Sequence, residues 1–208
     1  MSQDTYRGEQ MDPGTWNLYT YCANDPVKFV DPSGHKRKKV RIYLGVHHVA
    51  AGNYHASVLV FVSRGNKYYK DKRFEHATSN RDYGATSKYV AKYVTFGAGP
   101  GSQGKQSGRL IAERNRPKDV DLSNKVVMKR LLITNSNKKI KKLLHLNDNY
   151  ISCPTKPKYN AFPSKKNKGY NSNSFAHGLL KYAGFSVKKP DKKLPGWSKV
   201  VPKSYFGL

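Results

Sequence analysis

A serine near the end of the chain stands where a helix can activate it. Ser172 lies within residues 170–184, where residues 171–174 offer small polar side chains that can cap a helix. Free N–H groups and the positive dipole end of a helix N-terminus stabilise anions, so a nucleophile there is activated and an oxyanion finds donors. Ser172 is therefore a candidate nucleophile, although a well-capped helix without chemistry explains the same residues.

A histidine early in the chain is the candidate general base. His55 stands near the start of residues 54–62, a nearly continuous apolar run that gives the strongest strand signal in the sequence. An imidazole at a strand end beside a turn can stay partly exposed and titrate near neutrality. The alternative is that His55 only caps the strand through a backbone hydrogen bond.

The elements that must position these two residues begin with strands. β-branched and aromatic runs predict strands at residues 40–46, 54–62, 68–74, 109–111 and 126–133. The segments between them are interpreted as turns at 47–53, 64–67 and 115–119 and as a flexible glycine-rich loop at 97–108. Residues 88–96 fit either a strand or a short helix.

Two amphipathic helices are predicted towards the C-terminus. Residues 136–150 place Ile140, Leu143 and Leu144 on one face and lysines on the other, which is either a solvated face or one that lies on nucleic acid or anionic lipid. Residues 170–184 repeat apolar side chains at intervals of three and four and end at a glycine. The predicted fold class is α+β, an antiparallel sheet packed with a few helices.

Charge and cysteine content restrict the class of protein. With 39 Lys and Arg against 13 Asp and Glu, the 208-residue chain has a formal net charge of +26. This excess implies an acidic partner, which is nucleic acid, an anionic membrane or an acidic protein. Cys22 and Cys153 are too few for a disulfide framework, and no ligand spacing suggests a metal or cofactor. No apolar run indicates a signal peptide or a membrane span.

The first 35 residues carry a pattern of their own. Its elements are Tyr6-Arg7-Gly8, Asp12-Pro13, Asn17-Leu18-Tyr19-Thr20-Tyr21, Asn24-Asp25-Pro26 and Asp31-Pro32-Ser33-Gly34. This pattern resembles the end of the RHS repeat-associated core of polymorphic toxins. The resemblance implies a strand- and turn-rich RHS remnant at 1–35 and a toxin or effector tip domain at 36–208. It also implies the RHS shell of the parent protein and a cognate immunity protein as partners, and delivery into a target cell as part of a larger, secreted protein.

Two further motifs bear on the tip domain. His55-Ala56-Ser57-Val58-Leu59-Val60, followed later by Asn171-Ser172-Asn173-Ser174-Phe175, resembles the circularly permuted papain-like fold of lecithin retinol acyltransferase-like and deubiquitinase-like enzymes. In that family the histidine of a central strand precedes a nucleophile at a helix N-terminus. The family nucleophile is cysteine, and this chain has Ser172. Gly97-Ala98-Gly99-Pro100 and Asn115-Arg116-Pro117-Lys118-Asp119 resemble a loop found in such tip domains.

The second resemblance implies a hydrolase or acyltransferase acting on an amide, ester or thioester. In this mechanism Ser172 attacks an acyl carbonyl, His55 takes its proton, and the backbone N–H of Ser172 or Asn173 holds the oxyanion. Asn171 or Asn173 orients the imidazole. No acidic third member is evident, and Asp148 is the single acidic candidate that we name.

Two other classes of function stay open. A basic ribonuclease would explain the net charge through phosphate attraction, with His47, His48, His76 and His145 available but in no defined arrangement. A catalytically inactive binding tip is the third hypothesis. Loss of activity on Ser172→Ala distinguishes acyl chemistry from phosphodiester cleavage.

Overall fold

The computed structural model of the chain describes residues 40–76, 92–102, 104 and 107–208. The predicted RHS remnant at 1–35, Cys22 and the first residues of the predicted 88–96 segment lie outside these described residues. The described part combines an antiparallel sheet with helices, so the α+β class is confirmed.

The sheet has six strands within the described residues. Their order is β3-β4-β2-β1-β6, with β5 also pairing β4, and all pairings are antiparallel. The strands are β1 (Val40–His48), β2 (Tyr54–Val62), β3 (Glu75–His76), β4 (Lys92–Pro100), β5 (Leu110–Arg114) and β6 (Lys125–Thr134). The helices are α1 (Pro117–Val120), α2 (Lys138–Ser152) and α3 (Ser172–Tyr182), with 3-10 turns at Lys67–Lys70 and Lys203–Phe206.

Strand β2 is apolar except at His55 and Ser57, because both of its faces are buried over most of its length. Val58, Val60 and their alternating neighbours belong to the main core, which the helices α2 and α3 complete. Leu59 and Phe61 point the other way, into a smaller cluster with Tyr93. Strand β2 is thus buried on both faces over most of its length, and it lies at the centre of the sheet.

The predicted glycine-rich loop is wrong over its first residues. Gly97 and Gly99 belong to strand β4, and both are buried. A Cβ atom at Gly97 would collide with the carboxylate of Asp119, and one at Gly99 would collide with the guanidinium of Arg116. The glycines mark close packing of side chains against a strand rather than a flexible backbone.

Two strand predictions also need correction. His47 and His48, predicted in a turn, form the end of β1 opposite His55 and Tyr54. The predicted strand at 68–74 begins instead as a 3-10 turn, because the side chain of Asn66 accepts a hydrogen bond from the Tyr68 N–H.

Both predicted helices are confirmed. In α2 the apolar face is buried, and of its lysines Lys139 donates to the carbonyls of Ala183 and Gly184 at the end of α3. Lys138, Lys141 and Lys142 are exposed. None of the helices in the described part of the chain is long and apolar enough to cross a membrane.

An aromatic cluster fixes α3 to the rest of the core. Phe175 is fully buried, with its ring centroid 4.9 Å from that of Tyr150 in α2 and 5.7 Å from that of Phe206 in the C-terminal segment. The C-terminal residues Trp197 and Phe206 pack back onto the domain, and both are buried. The last residues of the chain thereby hold the helix that carries Ser172.

Removing the Phe175 ring should destabilise the fold as a whole. We expect Phe175→Ala to lower the free energy of unfolding by about 3–5 kcal/mol, because it leaves a cavity between three elements. Lys181→Ala, an exposed change on the same helix, should stay within about 0.5 kcal/mol of the wild type. Urea unfolding followed by circular dichroism measures both, and equal stability of the two variants would contradict this packing.

Candidate active site

One cavity of about 580 Å³ brings the predicted site residues together. Ser172, His55, Asn171 and Asn173 all line it, although more than a hundred residues separate the histidine from the others. The cavity lies where the N-terminus of α3 meets the first residues of β2. The grouping of these four residues is as predicted, but the roles of the two asparagines are different.

Asn171 caps the helix. Its backbone is extended, and its side-chain Oδ1 accepts from the N–H of Ser174 at 3.1 Å, so that Ser172 becomes the first residue of α3. The Nδ2 group of Asn171 donates to the carbonyls of Ala161 and Pro195. Ser172 is half-buried at the cavity wall, and the N–H groups of the first turn have no acceptor within the helix.

Asn173 ties the helix to the backbone on either side of His55. Its Oδ1 accepts from the N–H of Ala56 at 2.8 Å, and its Nδ2 donates to the carbonyl of Tyr54 at 3.0 Å. Strand β4 pairs with β2 only from Val58 onwards, so the amide of Asn173 satisfies the edge that β4 leaves open. Both amides are thus used on backbone groups, and the prediction that one of them orients the imidazole is wrong.

Asp119 contacts the imidazole instead. His55 Nε2 lies 3.1 Å from Asp119 Oδ1, and the Asp119 side chain is only 2% exposed. Burial by itself raises the pKa of Asp119, but the His55 imidazole and the charge of Lys125 outweigh it and hold that pKa below its usual value. The carboxylate is therefore ionised at neutral pH.

The acidic residue that we named from the sequence lies elsewhere. Asp148 pairs with Arg73 at 2.9 Å and with Arg114, and it does not line the cavity. The sequence indicates a turn at residues 115–119, and no periodic pattern there links Asp119 to His55. Pro117 starts the short helix α1, and that helix places Asp119 over the glycines of β4.

A second histidine and a lysine complete the cluster. His47 faces His55 across β1 and β2, with ring centroids 4.7 Å apart, and its Nδ1 lies 3.2 Å from Nζ of Lys125. Burial lowers the pKa of His47 to about 3, assisted by the charges of His55 and Lys125. Burial also lowers the pKa of Lys125 to about 8, and its Nζ donates to the Lys118 carbonyl at 2.8 Å. His47 is therefore neutral at neutral pH.

The cluster also has the composition of a metal site. His47, His55 and Asp119 place three ligand atoms within 4.8 Å of one another, a set that fits Zn²⁺. The sequence prediction of no metal missed this group, because its members come from three separate elements. A dication would have to displace the Lys125 ammonium from its contact with His47 Nδ1, and that ammonium already provides Asp119 with a positive charge.

No family model matches the chain, and no curated protein and no solved structure is detectably similar to it. The function of the cavity is therefore inferred from the chemistry of the residues that line it.

Acidification should destabilise the protein through His47. Its pKa is about 3 in the folded protein against 6.5 normally, so the unfolded chain binds the extra proton and stability falls as pH drops from 6.5 towards 3. We expect His47→Asn, which keeps an acceptor for Lys125 but cannot titrate, to remove part of a slope of at most about 1.4 kcal/mol per pH unit.

Urea unfolding at about pH 7 and about pH 5 measures this slope, and His48→Asn is the matched control because His48 is the exposed neighbour. If wild type and His47→Asn lose stability equally on acidification, His47 is not held neutral by its surroundings.

Proposed function

We propose that this chain carries the effector domain of an RHS-type polymorphic toxin, and that the domain is a serine hydrolase or acyltransferase. The observation that carries the enzymatic part is the buried contact of His55 Nε2 with Asp119 Oδ1, at 3.1 Å, in the cavity that Ser172 also lines. A nucleophile, a base and a buried acid that orients the base are the parts that acyl transfer needs.

On this proposal the two nitrogens of His55 have different roles, which the contact with Asp119 supports. Nε2 carries the proton and faces the carboxylate, which leaves the Nδ1 lone pair to take the proton of the Ser172 hydroxyl. The Ser172 Oγ then bonds to the acyl carbon, and the carbonyl oxygen becomes an oxyanion near the first-turn N–H groups of Ser172 and Asn173.

The second half of the reaction returns the proton. Asp119 stabilises the imidazolium while His55 gives its Nδ1 proton to the departing amine, alcohol or thiol, and an acyl-serine remains. A water molecule or another acceptor, deprotonated by His55, attacks the acyl carbon and releases Ser172. Asp119 orients His55 throughout and does not itself take up a proton.

The chain order supports a permuted papain-like architecture for this domain. The histidine lies on a central antiparallel strand, and the nucleophile follows at the N-terminus of a helix that packs against that strand. The bonds of Asn173 to the backbone around His55 couple these two elements directly.

The effector role is supported by the RHS-like pattern of residues 1–35, which lies outside the described residues. On this proposal the domain reaches a target cell as part of a larger protein, the RHS shell encloses it before release, and a cognate immunity protein protects the producing cell. The net charge of +26 favours an acidic surface on that immunity protein or on the target.

A nuclease is the second candidate, because His47 and His55 lie side by side next to Lys125 in a strongly basic protein. A pair of histidines acting as acid and base requires that one of them be protonated. The pKa of His47 is lowered to about 3, which removes it as a general acid at neutral pH. The contact of His55 with the buried Asp119 carboxylate, in the cavity that Ser172 lines, favours acyl chemistry.

A fluorophosphonate probe tests the activated serine without knowledge of the substrate. The probe forms a covalent bond with a serine hydroxyl only where a base removes its proton. We expect one adduct on Ser172 of the full chain, no adduct in Ser172→Ala, and labelling slowed on the order of 100-fold or more in His55→Ala. Intact-mass spectrometry follows the adduct, and unlabelled wild-type protein would argue against a serine nucleophile.

Growth of a bacterium that expresses the full chain tests the effector role. We expect wild type and Asp148→Asn to stop growth, whereas Ser172→Ala, His55→Ala and Asp119→Asn do not, because only the last three change the cavity. Circular dichroism checks that each variant folds. Growth arrest by all five proteins, together with degraded RNA, would support the nuclease, and growth with wild type would favour a binding tip or a target in another compartment.

A further inference from the structure

An arginine in the same cavity has a buried donor without a partner. Arg116 lines the cavity three residues before Asp119, and its Nη1 is buried yet makes no hydrogen bond within the described residues. Within the described part of the chain its single ion-pair contact joins Nε to Glu113 Oε2 at 3.6 Å, and the Glu113 side chain is 61% exposed. A buried cationic donor without an acceptor is costly, so the position favours a ligand that brings an acceptor.

A glycine in strand β4 leaves space for this guanidinium. Its atoms lie against Gly99 of β4, where any side chain would collide with them. Ala98 and Pro100, the neighbours of this glycine along β4, also line the cavity. The guanidinium is thus packed against strand β4 in the wall of the cavity.

The charges around the cavity are also suited to an anion. Arg116 and Lys118 line it, and the exposed side chain of Lys118 adds positive charge. Asp119 is the one acidic residue among the described lining residues, and the His55 imidazole contacts it. Arg116 and the first residue of the Ser172 helix thus line the same cavity.

We propose that Arg116 binds a carboxylate of the substrate, so that the acyl compound cleaved at Ser172 carries a free carboxylate near the scissile carbonyl. The planar guanidinium offers parallel N–H donors that match the two oxygens of a carboxylate. This inference rests on the proposed function in taking the ligand to be a substrate that is cleaved at Ser172. The binding of a carboxylate at Arg116 can nevertheless be measured without any turnover.

The test is a binding experiment with the full chain carrying Ser172→Ala. The probes are N-acetylglutamate α-methylamide and N-acetylglutamine α-methylamide, which differ only in carboxylate against carboxamide, and NMR titration gives their affinities. We expect the glutamate compound to bind about tenfold or more tightly, since a charged hydrogen-bonded pair has about that effect. Adding Arg116→Gln should remove the difference.

Arg130→Gln in the same background is the matched control. Arg130 is exposed on β6 and outside the cavity lining, so its loss changes the net charge equally without touching the site. We expect this control to keep the preference for the glutamate compound, which shows that the preference is not a general effect of positive charge.

Three results would overturn the proposal: equal binding of the two compounds or binding of neither, a preference that survives Arg116→Gln, or inorganic phosphate binding at Arg116 more tightly than the glutamate compound. The last result would assign the position to a phosphate ligand. Because Ser172→Ala cannot turn over, these results are independent of the probe labelling that tests the enzyme itself.

Discussion

A buried negative charge is the constraint on which the rest of the cavity depends. Asp119 stays ionised out of contact with water because the His55 imidazole and the positive charge of Lys125 hold its pKa below the usual value. His55 supplies the direct contact, and Lys125 adds its charge from behind His47. Strand β4 comes so close to the carboxylate that a Cβ atom at Gly97 would collide with it. Taken alone, each of these features lowers the stability of the fold, and each is explained by the presence of the buried Asp119 carboxylate.

The two asparagines beside Ser172 hold the start of helix α3 at a fixed place against strand β2. Asn171 has an extended backbone and caps the start of α3. Asn173 accepts a hydrogen bond from the edge of β2 at Ala56, ahead of the residues that pair with β4. Their polar atoms bond to rigid backbone groups, so the position of Ser172 relative to the His55 backbone is determined by hydrogen bonds at both ends. Neither asparagine needs to take part in chemistry for the sequence Asn-Ser-Asn to matter.

The cavity combines this fixed placement of Ser172 and His55 with basic residues in its wall. Burial lowers the pKa values of Lys125 and His47, whereas Arg116 lines the cavity with its guanidinium packed against Gly99. The basic residues of the site thus have different positions: Lys125 stabilises the buried Asp119 carboxylate, and Arg116 lies in the wall of the cavity. The large net charge of the chain acts over a longer range and is more easily screened by salt.

The sequence by itself determined the elements whose signal is local. The apolar run of β2, the amphipathic pattern of α2 and the capped start of α3 depend on neighbouring residues, and so His55 and Ser172 could be singled out. Tertiary structure alone decided which acid joins them, because Asp119 and Asp148 look alike in sequence and differ only in what packs around them. Only the tertiary structure shows that Gly97 belongs to a strand and not to a loop. A glycine required by close packing cannot be distinguished in the sequence from one that makes the backbone flexible. Contacts between distant segments leave no periodic pattern in either segment, and only folding brings them together.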